Sequence, residues 1–135
     1  MKQTFKIVEG SMVKELPIEI GDFFLKLLHS VTNTHILHLQ SNSYAKHKAL
    51  QKFYESIGDS TDSLIEAWQG KNSQLANYPN SYTPPMMDAL SELQDLSQFV
   101  QTNRSVVGTD SELQNIIDEI QQLIDSTIYK LTFLK

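Results

Sequence analysis

The segment that most constrains the fold is KNSQLANYPNSYTPP, residues 71–85. It is rich in Asn and Ser and contains three prolines, a composition that excludes a helix. On both sides of it, apolar residues recur at intervals of three and four, which predicts amphipathic helices. The sequence therefore predicts an all-α protein in two helical halves joined by one long connection.

The apolar pattern predicts four helices, A over 19–40, B over 43–70, C over 86–104 and D over 109–133. Helix D has the clearest stripe, formed by Leu113, Ile116, Ile117, Ile120, Leu123, Ile124, Ile128 and Leu131.

Residue types near the helix ends predict where the helices begin and stop. Ser43 is a suitable N-cap for helix B, and Gly70 can adopt the left-handed conformation that ends it. Thr83 followed by proline predicts the start of helix C. Thr109 with Glu112 three residues later has the pattern of a capping box for helix D.

Connection lengths then predict the topology. The breaks A–B and C–D are short, so each pair forms an antiparallel hairpin. About 14 extended residues reach roughly 46 Å, and helix B is about 40 Å long, so the B–C connection can cross the whole bundle. We expect one ferritin-like four-helix bundle, residues 1–135 with an N-terminal arm over 1–15. An up-down bundle with a loose loop is the alternative.

Composition narrows the partners. The chain has 11 basic and 16 acidic residues, a net charge of -5 and no cysteine. The basic residues are scattered, which disfavours nucleic acid, and disulfides and thiol catalysis are excluded. No apolar run approaches the roughly 20 residues of a membrane helix, and the start lacks a signal-peptide core. We expect a cytoplasmic protein without a membrane partner.

Four residues form a candidate metal site: His35, His47, Asp62 and Glu66. Imidazoles and carboxylates at helical spacing suit a transition metal such as iron. Asp62 and Glu66 share one helix face, but His47 lies about 22 Å from Asp62 along helix B. Two copies of helix B packed antiparallel across a two-fold axis bring His47 of one chain against Asp62 and Glu66 of the other. His35 joins from helix A, which gives two equivalent sites per dimer.

Two further residues are possible auxiliary ligands. Gln51 lies one turn after His47, and His38 lies one turn after His35. The alternative is that the three histidines have structural or surface roles and that Asp62 and Glu66 are solvated carboxylates on an exposed helix face.

At these positions the chain resembles the Dps family of small ferritins. The family stretch reads H-x11-H-x2-F-D-x2-Y with a later D-x3-E, and it appears here as His35, His47, Leu50, Gln51, Tyr54, Asp62 and Glu66. The resemblance implies that two subunits share each site and bind ferrous iron, which peroxide or oxygen oxidises. It also implies hollow dodecamers that store the ferric product, so ferroxidase is the expected activity if the protein is an enzyme.

The sequence departs from that pattern at two positions, Gln51 in place of aspartate and Ile36 in place of tryptophan. A neutral amide weakens a second iron position. There is no lysine-rich tail for DNA. The stretch from Ser43 to Gly70 also resembles uncharacterised ferritin-like proteins of large tailed phages. The alternative function is therefore a structural or assembly protein, such as a virion component, with a degenerate metal site.

Overall fold

The architecture is a bundle of four helices. The computed structural model describes the backbone of residues 5–8 and 11–14 and the whole of residues 18–135. The helices are α1 Ile20–Gln40, α2 Tyr44–Asn72, α3 Ala89–Asn103 and α4 Ser111–Phe133, with a 3₁₀ turn at Arg104–Val107. The predicted all-α four-helix bundle is confirmed.

A short antiparallel strand pair precedes the bundle. Strand β1 Phe5–Val8 pairs with β2 Ser11–Lys14, with Phe5 opposite Lys14 and Val8 opposite Ser11. The sequence predicts only an N-terminal arm here, and the rest of residues 1–15 lies outside the described residues.

Helices α1 and α2 form an antiparallel hairpin. Phe24 near the start of α1 packs edge-on against Trp68 near the end of α2, with ring centroids 5.7 Å apart. At the opposite end, His38 contacts His47. The short connection and these contacts at both ends show that α1 and α2 run in opposite directions.

The remaining neighbours are also antiparallel. Helix α3 packs on α1 through Phe99 and Phe23, whose rings are stacked at 5.7 Å. Lys71 Nζ at the end of α2 lies 3.3 Å from Oδ1 of Asp110, which directly precedes α4. The order around the bundle is α1–α2–α4–α3, with the most extensive packing between α1 and α2 and the least between α1 and α3. Two hairpins joined by one crossover is the ferritin-like connectivity predicted from the connection lengths.

The crossover runs lengthwise along α1. Its residue Asn77 lies so close to Gly21 that a Cβ on Gly21 would overlap the Asn77 carbonyl oxygen. Further along, the Tyr82 hydroxyl donates to Asn33 Oδ1 at 2.6 Å, and Asn33 Nδ2 donates to the Thr83 carbonyl at 3.1 Å. Gly21 and Asn33 are about 18 Å apart on α1 at 1.5 Å per residue. The connection therefore covers a large part of one helix.

Helix α2 begins as predicted and ends later than predicted. The Ser43 side chain accepts a hydrogen bond from the Lys46 backbone nitrogen. Gly70 does not end the helix, which continues to Asn72 and is capped by Ser73 in the left-handed conformation at φ 52°. Lys71 pairs with α4 and favours the extra half-turn, so the prediction at Gly70 was wrong.

The predicted starts of helices C and D were also wrong. Thr83 lies in the connection, because its carbonyl is held by α1 and the residues before Pro84 and Pro85 are disfavoured in helical conformation. Asp88 is the N-cap of α3 and accepts from the Ser91 nitrogen at 2.8 Å. Helix α4 has Asp110 as its N-cap, and no side-chain capping bond forms there.

The core lies between the four helices. Its fully buried side chains include Phe23, Phe24, Leu27, Phe53, Ile57, Leu64, Val100, Leu113, Ile117, Ile120 and Ile124. Each such side chain contributes about 1.5–3 kcal/mol by leaving water. The apolar stripe predicted for helix D is the face of α4 that packs into this core.

Candidate functional site

The candidate site begins with a reciprocal histidine pair at the α1–α2 junction. His38 Nδ1 lies 2.7 Å from the His47 carbonyl oxygen, and His47 Nδ1 lies 3.0 Å from the His38 carbonyl oxygen. The rings stack with centroids 3.6 Å apart. Because a carbonyl only accepts, each Nδ1 is the donor, and in the neutral imidazole the lone pair then lies on Nε2. The backbone thus fixes both ring orientations and leaves both Nε2 atoms as potential ligands.

His35 lies beside this pair. Its ring stacks on Tyr54 of α2 at 4.4 Å, and its centroid is 6.0 Å from that of His38. His38 is buried, His47 is half-buried and His35 is exposed. Three imidazoles therefore lie near one another at this junction. His38, which the sequence suggests as an auxiliary ligand beside His35, stacks on His47 instead.

The predicted carboxylates lie far from the histidines in the same chain. Asp62 and Glu66 are exposed on α2, and Asp62 is about 22 Å from His47 along the helix axis. Neither carboxylate forms an ion pair with another residue of 18–135. The amide of Gln51 is occupied, since its Nε2 donates to Glu55 at 2.9 Å. One chain therefore supplies two separate halves of the predicted ligand set.

Within the described part of the chain, no three His, Asp or Glu side chains are arranged to hold a metal ion. A metal site built from the predicted residues therefore requires a second copy of the protein.

None of the described helices has the length and apolar character needed to cross a bilayer.

Comparison with known protein families gives a match over residues 38–131. The matching family is DUF5856, a family of unknown function. The chain belongs to the DUF5856 family. No curated protein and no solved structure matches the chain. The matched region contains His47, Asp62 and Glu66 and begins three residues after His35.

This DUF5856 protein has a second feature, a groove of about 220 Å³ between α1, α3 and the crossover. Its apolar wall includes Leu25, Leu93 and Phe99. His29 also lines the groove, and burial lowers its pKa, with Lys26 nearby lowering it further. Sequence analysis could not find the groove, because one wall is the crossover and its path over α1 is not encoded in local periodicity.

Proposed function

We propose that this protein binds ferrous iron at a site shared by two copies of the chain and oxidises it. The observation that carries the proposal is the fixed orientation of His47. Its Nδ1 donates to a backbone carbonyl at 3.0 Å, an arrangement that metal-binding histidines commonly use to present Nε2. The exposed His35, whose ring centroid is 6.0 Å from that of His38, provides a second imidazole.

The second copy supplies the carboxylates. Asp62 and Glu66 are exposed, four residues apart, and unpaired by any described cation. An antiparallel pairing of two α2 helices that joins these residues to His47 places the two-fold axis near Glu55, midway between the two halves. Each dimer then has two equivalent sites, the minimal unit from which a dodecamer could be built.

The ligand set suits the proposed substrate. Two imidazole nitrogens and two carboxylate oxygens combine borderline and hard donors, which ferrous iron accepts. Each ferrous ion loses one electron. Two such electrons and two protons reduce one hydrogen peroxide to two water molecules, and four electrons and four protons reduce one dioxygen to two water molecules. In this proposal the protein contributes binding and positioning, with Gln51 and His38 as auxiliary groups.

The second candidate is a structural or assembly function with a degenerate site, in the cytoplasm or in a virion. Two observations favour it. Gln51 replaces an anionic ligand and is engaged with Glu55. The rings of His38 and His47 stack, and each Nδ1 donates to the backbone carbonyl of the other residue. These contacts stabilise the hairpin without any metal.

Iron oxidation by metal-free protein separates the two candidates. We expect ferric iron to form well above the protein-free rate in air or with peroxide, and the Glu66→Gln variant to lose this activity. Glu119→Gln is the matched control, because Glu119 is an exposed carboxylate on α4, a helix that contributes no ligand to the proposed site. A wild-type rate equal to that of buffer contradicts the ferroxidase proposal and favours the structural function.

Anaerobic equilibrium dialysis with ferrous iron adds a binding measurement that does not depend on oxidation. The proposal predicts two equivalent sites per dimer, both lost in Glu66→Gln and retained in Glu119→Gln.

A further inference from the structure

The groove beside the crossover is large enough to receive a side chain from another molecule. Its volume of about 220 Å³ exceeds the roughly 150 Å³ cavity that accepts a benzene ring. Leu25, Leu93, Leu96 and Phe99 provide apolar contacts. The groove can therefore hold an aromatic ring against these apolar side chains, while polar side chains such as Asn33 and Thr83 form the rest of its wall.

The groove carries excess negative charge. Glu92 lines it and keeps its carboxylate fixed by accepting from the backbone nitrogens of Met86 and Met87. Lys26 also lines the groove, but it is paired with the neighbouring Asp95 at 3.3 Å. The Lys26–Asp95 pair is neutral, so Glu92 makes the groove attractive to a basic ligand.

An exposed aromatic ridge lies at the end of α4. Tyr129 and Phe133 are one turn apart with ring centroids 5.5 Å from each other. Tyr129 is 56%, Phe133 68% and Leu134 44% exposed. Segment 126–135 contains two lysines, Lys130 and Lys135, and no acidic side chain. Large exposed apolar side chains grouped in this way indicate an interaction surface.

The ridge and the groove cannot meet within one chain. Helix α4 packs against α2 and α3, and it lies diagonally across the bundle from α1. The groove opens between α1, α3 and the crossover. Contact between the two surfaces requires a second copy.

We infer that the aromatic ridge of one copy docks in the groove of the next, with Phe133 entering the cavity and Lys130 and Lys135 facing its acidic edge. The ridge offers exposed aromatic side chains and two lysines, and the groove offers apolar side chains and the Glu92 carboxylate. Because they are different surfaces, the contact is head-to-tail and can extend from copy to copy. It involves neither His35 nor Glu66, so it stands independently of the proposed metal site.

Sedimentation velocity at increasing protein concentration tests this inference with two variants. Phe133→Ser removes the ridge, and Ser81→Trp fills the groove from an exposed position on its edge. We expect the wild type to associate, less so as salt rises, and each variant alone to lose this association. Leu39→Ser is the control, since Leu39 is 70% exposed but lies outside both surfaces. Circular dichroism checks that each variant is folded.

A mixture of the two variants gives the decisive result. The Ser81→Trp protein keeps its ridge and the Phe133→Ser protein keeps its groove, so we expect the mixture to form complexes larger than either variant alone. Absence of wild-type association beyond the proposed α2 dimer, association beyond that dimer that survives both substitutions, or failure of the mixture to form complexes larger than either variant alone overturns the inference.

Discussion

Replacing Gly21 by alanine tests how firmly the crossover is packed on α1. In an open helical position this change stabilises a protein by up to about 1 kcal/mol. Here the new methyl would overlap the Asn77 carbonyl oxygen, lie 2.8 Å from its carbon and lie 3.4 Å from Tyr78 Cα. Overpacking of this kind costs about 1–3 kcal/mol, and displacing the connection also weakens the Asn33 hydrogen bonds, worth about 1 kcal/mol each. We expect a net loss of about 2 kcal/mol.

The assay is thermal and urea unfolding of the wild type, Gly21→Ala and Gly70→Ala. A loss of 2 kcal/mol corresponds to a Tm about 6 °C lower for a domain of this size. Gly70→Ala is the matched control, because its added Cβ would have no atom within 4 Å apart from its chain neighbours and the adjacent backbone of its own helix, so we expect equal or higher stability. A Gly21→Ala protein as stable as Gly70→Ala refutes the close packing of the crossover.

Three further predictions concern other elements. Arg104→Met should cost about 1–3 kcal/mol in urea unfolding, because Arg104 donates to both the side chain and the carbonyl of Gln114 on α4. Burial, and then Lys26, hold the pKa of His29 below its ordinary value of 6.5. Its contribution to stability is therefore complete above pH 6.5 and is lost as the pH falls through the folded-state pKa; His29→Gln should reduce this pH dependence, whereas an unchanged profile excludes His29 as its source. Glu55→Gln should strengthen the proposed α2 dimer in sedimentation equilibrium, because it removes like charges that face each other near the two-fold axis.

The helices and their connectivity could be predicted because the relevant information is local. Apolar residues at intervals of three and four define the buried faces of α1, α2 and α4, and short breaks force antiparallel hairpins. The length and composition of the connection indicated a crossover. None of these inferences depends on knowing which side chains touch.

The errors arose where a distant contact decides the local structure. Helix α3 begins at Ala89 because the preceding connection is held by α1, and no local signal at Thr83 shows this. The partner of Lys71 on the α4 side similarly favours extension of α2 past Gly70. Propensity alone cannot anticipate such contacts.

The candidate site was predictable in its residue types and only partly in its geometry. Helical spacing separates His47 from Asp62 in one chain, as the structure shows. The stacking of His38 on His47 depends on how the hairpin closes, and the spacing of one turn from His35 suggested a different partner. The pairing of two chains stays a prediction, because it concerns a contact between copies.

The most direct test of the shared metal site is iron oxidation by a mixture of two inactive variants. His35→Gln removes a ligand from one half-site and Glu66→Gln removes a ligand from the other. In a mixed dimer, one site combines both defects and the other has all its ligands intact, so random pairing restores about a quarter of wild-type activity. We expect this recovery after the variants are mixed and re-equilibrated, with neither active alone. Two inactive variants whose mixed dimers form but stay inactive contradict a site shared between copies.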